Sequence, residues 1–144
     1  KLVSATGDKG MARLLEEGDY GKGFLSLLSQ LTVVGDVSES KFREQMKLQR
    51  ERDNDYHTLV IEDLGTARIV ATGTLLLEHK FIHSCGKVGH IEDVVVDSKA
   101  RGQGLGAKIV GALVDHAEAL GCYKCILDCD QDNEQFYSKQ GLVR

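Results

Sequence analysis

The sequence of 144 residues contains no proline and no long apolar run, and only 6% of its residues are aromatic. The absence of proline excludes a native cis-prolyl bond and proline-rich linkers, so the turns depend on the 16 glycines. No run approaches the roughly 20 apolar residues that span a membrane, and the first ten residues lack the apolar stretch of a signal peptide. We therefore expect a soluble, intracellular protein without a membrane span.

The net charge is also small, since 22 acidic and 18 basic residues leave a formal charge of −4. A negative net charge disfavours sequence-independent binding to nucleic acid. We therefore do not expect a nucleic acid as a partner. The length suits one domain with one core. The chain begins with Lys1 and its first methionine is Met11, so we expect the natural N-terminus to lie upstream. The cytoplasm is the expected compartment unless that terminus carries an organellar address.

The four cysteines do not predict a metal site. Cys122-x-x-Cys125 has Cys129 nearby, but no second cysteine pair or histidine pair supplies the remaining ligands at a recognisable spacing. Cys125 and Cys129 are separated by an even number of residues in an apolar run, which is typical of one strand face. We expect both to be reduced core residues.

Two helices are predicted in the first third of the chain. Apolar residues recur at helical spacing over residues 20–31, with Asp19 as the N-cap. Ser38 then caps a second helix, in which Phe42 and Met46 are one turn apart. From residue 58 the period becomes that of strands: residues 58–62 and 69–78 predict an antiparallel hairpin turning near Gly65, and residues 90–97 form a β-branched strand. Glu92 and Asp93 on that strand face opposite sides unless a bulge intervenes.

A glycine-rich loop separates the strand at 90–97 from a long helix that ends at Gly121. Gly102, Gly104 and Gly106 place unobstructed backbone N–H groups at the helix N-terminus, beside the cation of Arg101, which favours an anion site over a plain turn. Gly102-x-Gly104-x-x-Ala107 also fits a dinucleotide fingerprint, with Asp128 as the ribose acid, but too little chain follows for a nucleotide-binding sheet. No Gly-Lys-Ser/Thr follows, so a Walker loop is excluded. A strand at 124–129 and a short helix from 132 to about 141 complete the chain and predict a mixed sheet.

The strand Val94-Val95-Val96-Asp97, the loop Arg101-Gly102-x-Gly104-x-Gly106 and the apolar helix together resemble the acetyl-CoA-binding core of the GNAT N-acetyltransferase superfamily. Further segments resemble the glucosamine-6-phosphate N-acetyltransferase family within it, over about residues 13–144. These segments are Leu31-Thr32-x-x-Gly35, Ala71-Thr72-Gly73, Gly89-His90-Ile91-Glu92-Asp93, Gly121-Cys122-Tyr123-Lys124, Ile126-Leu127-Asp128-Cys129 and Asn133-x-x-Phe136-Tyr137-x-Lys139-x-Gly141.

The resemblance implies an α/β (α+β) GNAT fold, with a mixed, mostly antiparallel sheet that is flanked by helices and splayed where acetyl-CoA binds. It implies a single domain over residues 13–144, after a poorly structured segment 1–12, and a homodimer. In the family, a final strand carries a basic residue to the sugar phosphate of the partner subunit. The chain stops at Arg144, so we expect that strand to be missing.

The resemblance also assigns site residues. Acetyl-CoA would lie against Val94, Val95, Val96, Arg101, Gly102, Gln103, Gly104, Leu105, Gly106, Asn133, Phe136 and Tyr137. Tyr137 would be the general acid for the leaving thiolate. Glu92 and Asp93 would hold the amino sugar or relay its proton, and the backbone carbonyl of Asp128 would orient the nitrogen. Thr32, Lys80 and His83 would bind the sugar phosphate.

The implied reaction transfers acetyl from acetyl-CoA to the 2-amino group of D-glucosamine 6-phosphate, in UDP-N-acetylglucosamine biosynthesis, without a metal. Two other classes share the cofactor loop and stay open: a protein or peptide N-acetyltransferase, and a non-catalytic acetyl-CoA-binding protein.

Overall fold

The computed structural model describes residues 10–52, 54–129 and 133. In this part of the chain, five strands form one sheet: β1 (Arg13–Leu14), β2 (Tyr56–Asp63), β3 (Arg68–His79), β4 (Lys87–Val96) and β5 (Cys122–Leu127). The longer helices are α1 (Phe24–Leu28), α2 (Glu39–Arg50) and α3 (Leu105–Ala119), a single helical turn covers Ile82–Cys85, and 3-10 turns cover Glu17–Lys22 and Ser98–Ala100.

The strands lie side by side in chain order. Every neighbouring pair from β1 to β4 is antiparallel, and β5 runs parallel to β4 after the crossover through α3. The predicted hairpin and the parallel pair at the sheet edge are both confirmed. The described part of the chain therefore has the predicted mixed, mostly antiparallel sheet.

Helices cover both faces of the sheet. On one face, Phe24 of α1 and Phe42 and Met46 of α2 pack against Val60 and Val95. On the other face, α3 buries Ile109, Val110 and Leu113, all fully buried, against the apolar side chains of β2, β3 and β4. Ser38 caps α2 as predicted, since its Oγ accepts a hydrogen bond from the Lys41 N–H at 3.1 Å. The sheet is therefore packed on both faces, and β4 contributes Ile91 to one apolar cluster and Val95 to the other.

The prediction of one helix over residues 20–31, capped by Asp19, is wrong. The segment is split into the 3-10 turn Glu17–Lys22 and α1, because Gly23 between them has φ +80°. Asp19 is fully buried, and Arg13 donates hydrogen bonds to its two carboxylate oxygens at 2.8 and 2.9 Å. Its carboxylate also accepts a hydrogen bond from the Glu16 N–H at 2.8 Å, in the capping box of the 3-10 turn, so it caps that turn and not the predicted helix.

The last predicted strand is also shifted. β5 ends at Leu127, two residues earlier than predicted, and Cys129 is exposed beyond it. Cys125 is half-buried and packs against the core, where burial raises the pKa of its thiol. The expectation of two core cysteines on one strand face therefore holds for Cys125 and is wrong for Cys129. The predicted helix from 132 to 141 lies outside the described residues, apart from Asn133.

Candidate active site

A bulge in β4 brings two carboxylates to one cavity. Thr72 pairs with Val95 and Thr74 pairs with Glu92, so the single residue Gly73 on β3 faces two residues of β4, Asp93 and Val94. Asp93 has φ +53°, a conformation that aspartate adopts more readily than most residues. The bulge interrupts the alternation of the strand, so both carboxylates are exposed on the same cavity.

Beyond the bulge, β4 and β5 separate. Their pairing ends at Ile91 and Leu127, whereas β4 continues to Val96 along β3. In the part of the chain that the structure describes, no strand pairs with the β5 side of β4 from Glu92 onward. Backbone N–H and C=O groups on that side are open to an extended ligand, which could add to the sheet like a strand.

Two cavities open into this gap. The first, of about 580 Å³, is lined by Thr32, Glu92, Asp93, Asp128, Cys129 and apolar neighbours, and we call it the acceptor cavity. The second, of about 590 Å³, is lined by Val94 to Val96 and by the glycine loop, and we call it the loop cavity. Leu31, Val94 and Asn133 line both cavities, so the two are adjacent.

The glycine loop has the geometry of an anion site. Gly102 and Gly104 have φ +82° and +72°, and a Cβ at either position would stand in open space. Gly104 is the N-cap of α3, whose 15 residues direct the positive end of the helix dipole at the loop cavity. Arg101 lines the same cavity. Gln103, the remaining loop residue of the prediction, is exposed and is not among the residues that line it.

Lys80 and His83 lie elsewhere in the chain. The Lys80 ammonium pairs with Glu78 at 3.3 Å, and the His83 ring stacks on Tyr123 with the centroids 4.0 Å apart. Tyr123 is near the start of β5, whereas Asp128 follows its end, which is a distance of roughly 15 Å along a strand. The structure of one chain therefore does not bring these two predicted phosphate ligands to the acceptor cavity.

The remaining predicted residues fall into three groups. Thr32, Glu92, Asp93 and Asp128 meet in the acceptor cavity, and Asn133 lies where the two cavities join. Phe136 and Tyr137 lie outside the described residues. Sequence reasoning missed Gln30, which lines the loop cavity, and the approach of Gly73 to Leu113 behind the bulge. Only the place of Gln30 beside the segment that begins at Leu31 could have pointed to it.

Comparison with known proteins decides the family. The sequence profile of the Acetyltransferase (GNAT) family matches residues 24–142. The chain belongs to the GNAT acetyltransferase family. A relative named glucosamine 6-phosphate N-acetyltransferase, from Arabidopsis thaliana, is 48% identical over 130 residues, which cover 90% of this chain and 87% of that protein. One of the same name from Candida albicans is 42% identical, with 90% and 86% covered.

Solved structures agree on the GNAT fold. The crystal structure of glucosamine-6-phosphate N-acetyltransferase from Arabidopsis thaliana matches with a TM-score of 0.90 and 47% identity, over 92% of this chain and 90% of that one.

Across residues 10–52, 54–129 and 133, no helix has the length and apolar character needed to cross a membrane. The same residues contain no group of three or more histidine, cysteine or acidic side chains placed to hold a metal ion.

Proposed function

We propose that this GNAT protein transfers the acetyl group of acetyl-CoA to the 2-amino group of D-glucosamine 6-phosphate. The products are N-acetyl-D-glucosamine 6-phosphate and CoA, and the reaction serves UDP-N-acetylglucosamine biosynthesis. The proposal depends on one observation: the acceptor cavity, which Glu92 and Asp93 line, is adjacent to the loop cavity, which the glycine loop lines. The names of the close relatives support this acceptor.

The loop cavity fits the diphosphate of acetyl-CoA. Backbone N–H groups from Gly102 to Gly106 would bind the phosphates, because neither glycine with positive φ has a side chain in the way. The unpaired side of Val94 to Val96 would bind the amide-bearing arm as an added strand. When bound, acetyl-CoA supplies a thioester carbonyl and a thiolate leaving group.

The acceptor cavity fits an amino sugar. The carboxylates of Glu92 and Asp93 would accept hydrogen bonds from the ammonium or hydroxyl groups, and the hydroxyl of Thr32, which lines the same cavity, would donate one. The amine of a 2-amino sugar is weakly basic because adjacent oxygens withdraw electrons. A strong base is therefore unnecessary, and orientation near the thioester supplies much of the rate. Asp128, which follows β5, would orient the nitrogen through its backbone carbonyl.

Two parts of the proposal rest on the family resemblance. Tyr137 would protonate the leaving thiolate, and Phe136 and Asn133 would contact acetyl-CoA. We also propose a homodimer. Because Lys80 and His83 lie beside the start of β5 in their own chain, they would reach the phosphate of a sugar in the acceptor cavity only from a second copy.

A thiol-release assay separates the proposal from its alternatives. Purified protein with acetyl-CoA is given glucosamine 6-phosphate, an amine-bearing peptide, or no acceptor. We expect free CoA to appear at least 100-fold faster with the amino sugar than with the peptide. Faster release with the peptide would indicate a protein N-acetyltransferase. Binding of acetyl-CoA without release to either acceptor would indicate a non-catalytic binding protein.

A further inference from the structure

The side chain of Gln30 joins two parts of the site that are far apart in sequence. Its Nε2 donates a hydrogen bond to Asp97 Oδ1 at 3.3 Å, and its Oε1 accepts one from the Ser98 N–H at 2.9 Å. Both partners lie in the connection that leads from β4 into the glycine loop. Gln30 itself follows α1, in the turn where its N–H donates to the Leu27 carbonyl.

The residues that follow Gln30 form the wall of the acceptor cavity. Gln30 lines the loop cavity, Leu31 lines both cavities, and Thr32 lines the acceptor cavity. This wall belongs to a segment with little burial, in which Val33 is 91% exposed. The two hydrogen bonds of Gln30 therefore connect an exposed acceptor wall to the backbone that carries the anion site.

Hydrogen bonds at Asp97 shape the connection after β4. The Asp97 N–H donates to Val70 on β3 at 2.8 Å, and Asp97 Oδ1 caps the following 3-10 turn by accepting from the Lys99 N–H. Ala100 then turns into the core and is 4% exposed. Ser98 lies only three residues before Arg101, where the glycine loop begins. A shift of the backbone at Ser98 would therefore also shift the loop. The direction of the N–H groups at Gly102 and Gly104 follows from that path.

We propose that Gln30 is a positioning residue that holds the connection at Asp97 and Ser98, and with it the glycine loop, in the geometry that binds acetyl-CoA. The inference rests on the proposed function for the nature of the ligand. Gln30 and both its partners are at or near the surface, so its hydrogen bonds contribute little to global stability. Their effect falls on the loop, because they fix its path.

The test compares Gln30→Leu, which keeps side-chain bulk without polar atoms, with the wild type. We expect the acetyl-CoA dissociation constant, measured by calorimetry, to rise about tenfold, because binding would then also have to order the loop. The turnover number and the thermal unfolding midpoint should change little. The matched control is Ser29→Ala, in the same turn, whose hydroxyl bonds only locally to the Ser26 carbonyl. Its dissociation constant should equal that of the wild type.

Amide hydrogen exchange of the unliganded proteins gives a second readout. Exchange at Ser98 and across Gly102 to Gly106 should be about tenfold faster in Gln30→Leu than in Ser29→Ala. Equal exchange and an equal dissociation constant in the two variants would overturn the role of Gln30. If the wild type binds no acetyl-CoA, the proposed function is wrong, and exchange at Ser98 still decides whether Gln30 positions the loop.

Discussion

Gly73 of β3 lies directly against Leu113 of α3, so that a Cβ added to Gly73 would stand 2.6 Å from Leu113 Cδ1. The same Cβ would stand 3.3 Å from Val94, the second residue of the bulge. The contact ties the main helix to the strand position that faces Asp93 and Val94. Because Gly73 has no side chain, both the bulge in β4 and helix α3 can pack closely against β3 at this position.

We expect Gly73→Ala to lower the free energy of unfolding by about 1–3 kcal/mol, the usual cost of overpacking a core. Because the added methyl also pushes Val94, acetyl transfer should fall more than stability alone explains. Gly111→Ala on α3 is the control, since nothing lies within 4 Å of its Cβ. It should raise stability by about 0.5–1 kcal/mol. Urea unfolding of both variants checks the comparison, and equal stabilities would contradict it.

A side chain at Gly104 should weaken acetyl-CoA binding. Gly104→Ala places a methyl group where the diphosphate would lie, and we expect the dissociation constant to rise at least about tenfold. The positive φ of +72° adds strain of roughly 1 kcal/mol. Gly121→Ala carries similar strain at φ +84°, far from the loop, and serves as the control. Calorimetry should show weak binding only for Gly104→Ala; equal affinities would remove the diphosphate from this loop.

The carboxylate of Asp93 should matter for the amino sugar and not for acetyl-CoA. Asp93→Asn keeps a side chain that tolerates φ +53°, so the bulge survives while the charge is lost. We expect kcat/KM for glucosamine 6-phosphate to fall about 100-fold. The affinity for acetyl-CoA should stay within about twofold. Asp115→Asn, on the exposed side of α3, is the control. Steady-state kinetics that show the same small loss in both variants would place Asp93 outside the reaction.

Tyr137→Phe should separate catalysis from binding. If the phenol protonates the leaving thiolate, turnover falls by about 100-fold or more while acetyl-CoA affinity changes little. Single-turnover kinetics together with equilibrium binding check this split. A variant with wild-type turnover would return Tyr137 to a packing role.

A histidine pair between β2 and α3 should make the fold sensitive to mild acid. His57 is buried and its Nε2 lies 2.5 Å from the Asn54 carbonyl, so it donates there and its Nδ1 accepts from His116 Nε2 at 3.0 Å. Burial, and then the nearby His57, lowers the pKa of His116 below its usual value of 6.5. The unfolded chain therefore takes up a proton at a higher pH than the folded chain does.

Stability should consequently fall as the pH drops below about 6.5, until the folded protein also binds the proton. Urea unfolding at pH 7.5 and 5.5 measures this loss. His116→Gln, which keeps a donor and cannot titrate, should lose less stability than the wild type between the two pH values. Parallel losses in the two proteins would assign the acid sensitivity to other groups.

Elements with a clear local signal were predictable from the sequence. The alternation in β3 and β4 and the apolar stripe of α3 are repeated over enough residues to fix their type. Asp19 shows the opposite case. An aspartate before an apolar helical pattern has the same local sequence whether it caps that helix or forms a buried ion pair. Its partner Arg13 also donates to Glu62, 49 residues away, and only the fold brings these three together.

The site divides in the same way. The glycine loop is a local feature, and three glycines before a helix predicted an anion site without the fold. Glu92 and Asp93 line a common cavity because of a bulge opposite Gly73, which is on another strand. The sequence of β4 alone therefore could not decide whether the two side chains face the same cavity. The distance of Lys80 from that cavity depends on the pairing of β4 with β5, which no spacing along the chain reveals.

The separation of β4 from β5 has a consequence for the protein before it meets a ligand. An unpaired stretch of strand attracts other strands, and natural sheets usually protect such edges with charge, bulges or cover. Here the bulge at Asp93 and the carboxylate of Glu92 stand at the start of the open stretch, while Val94 to Val96 are apolar. A bound acetyl-CoA would cover this stretch. The ligand would thus protect the open strand edge against pairing with other chains. The protein should remain monodisperse at higher concentration when it is purified with acetyl-CoA.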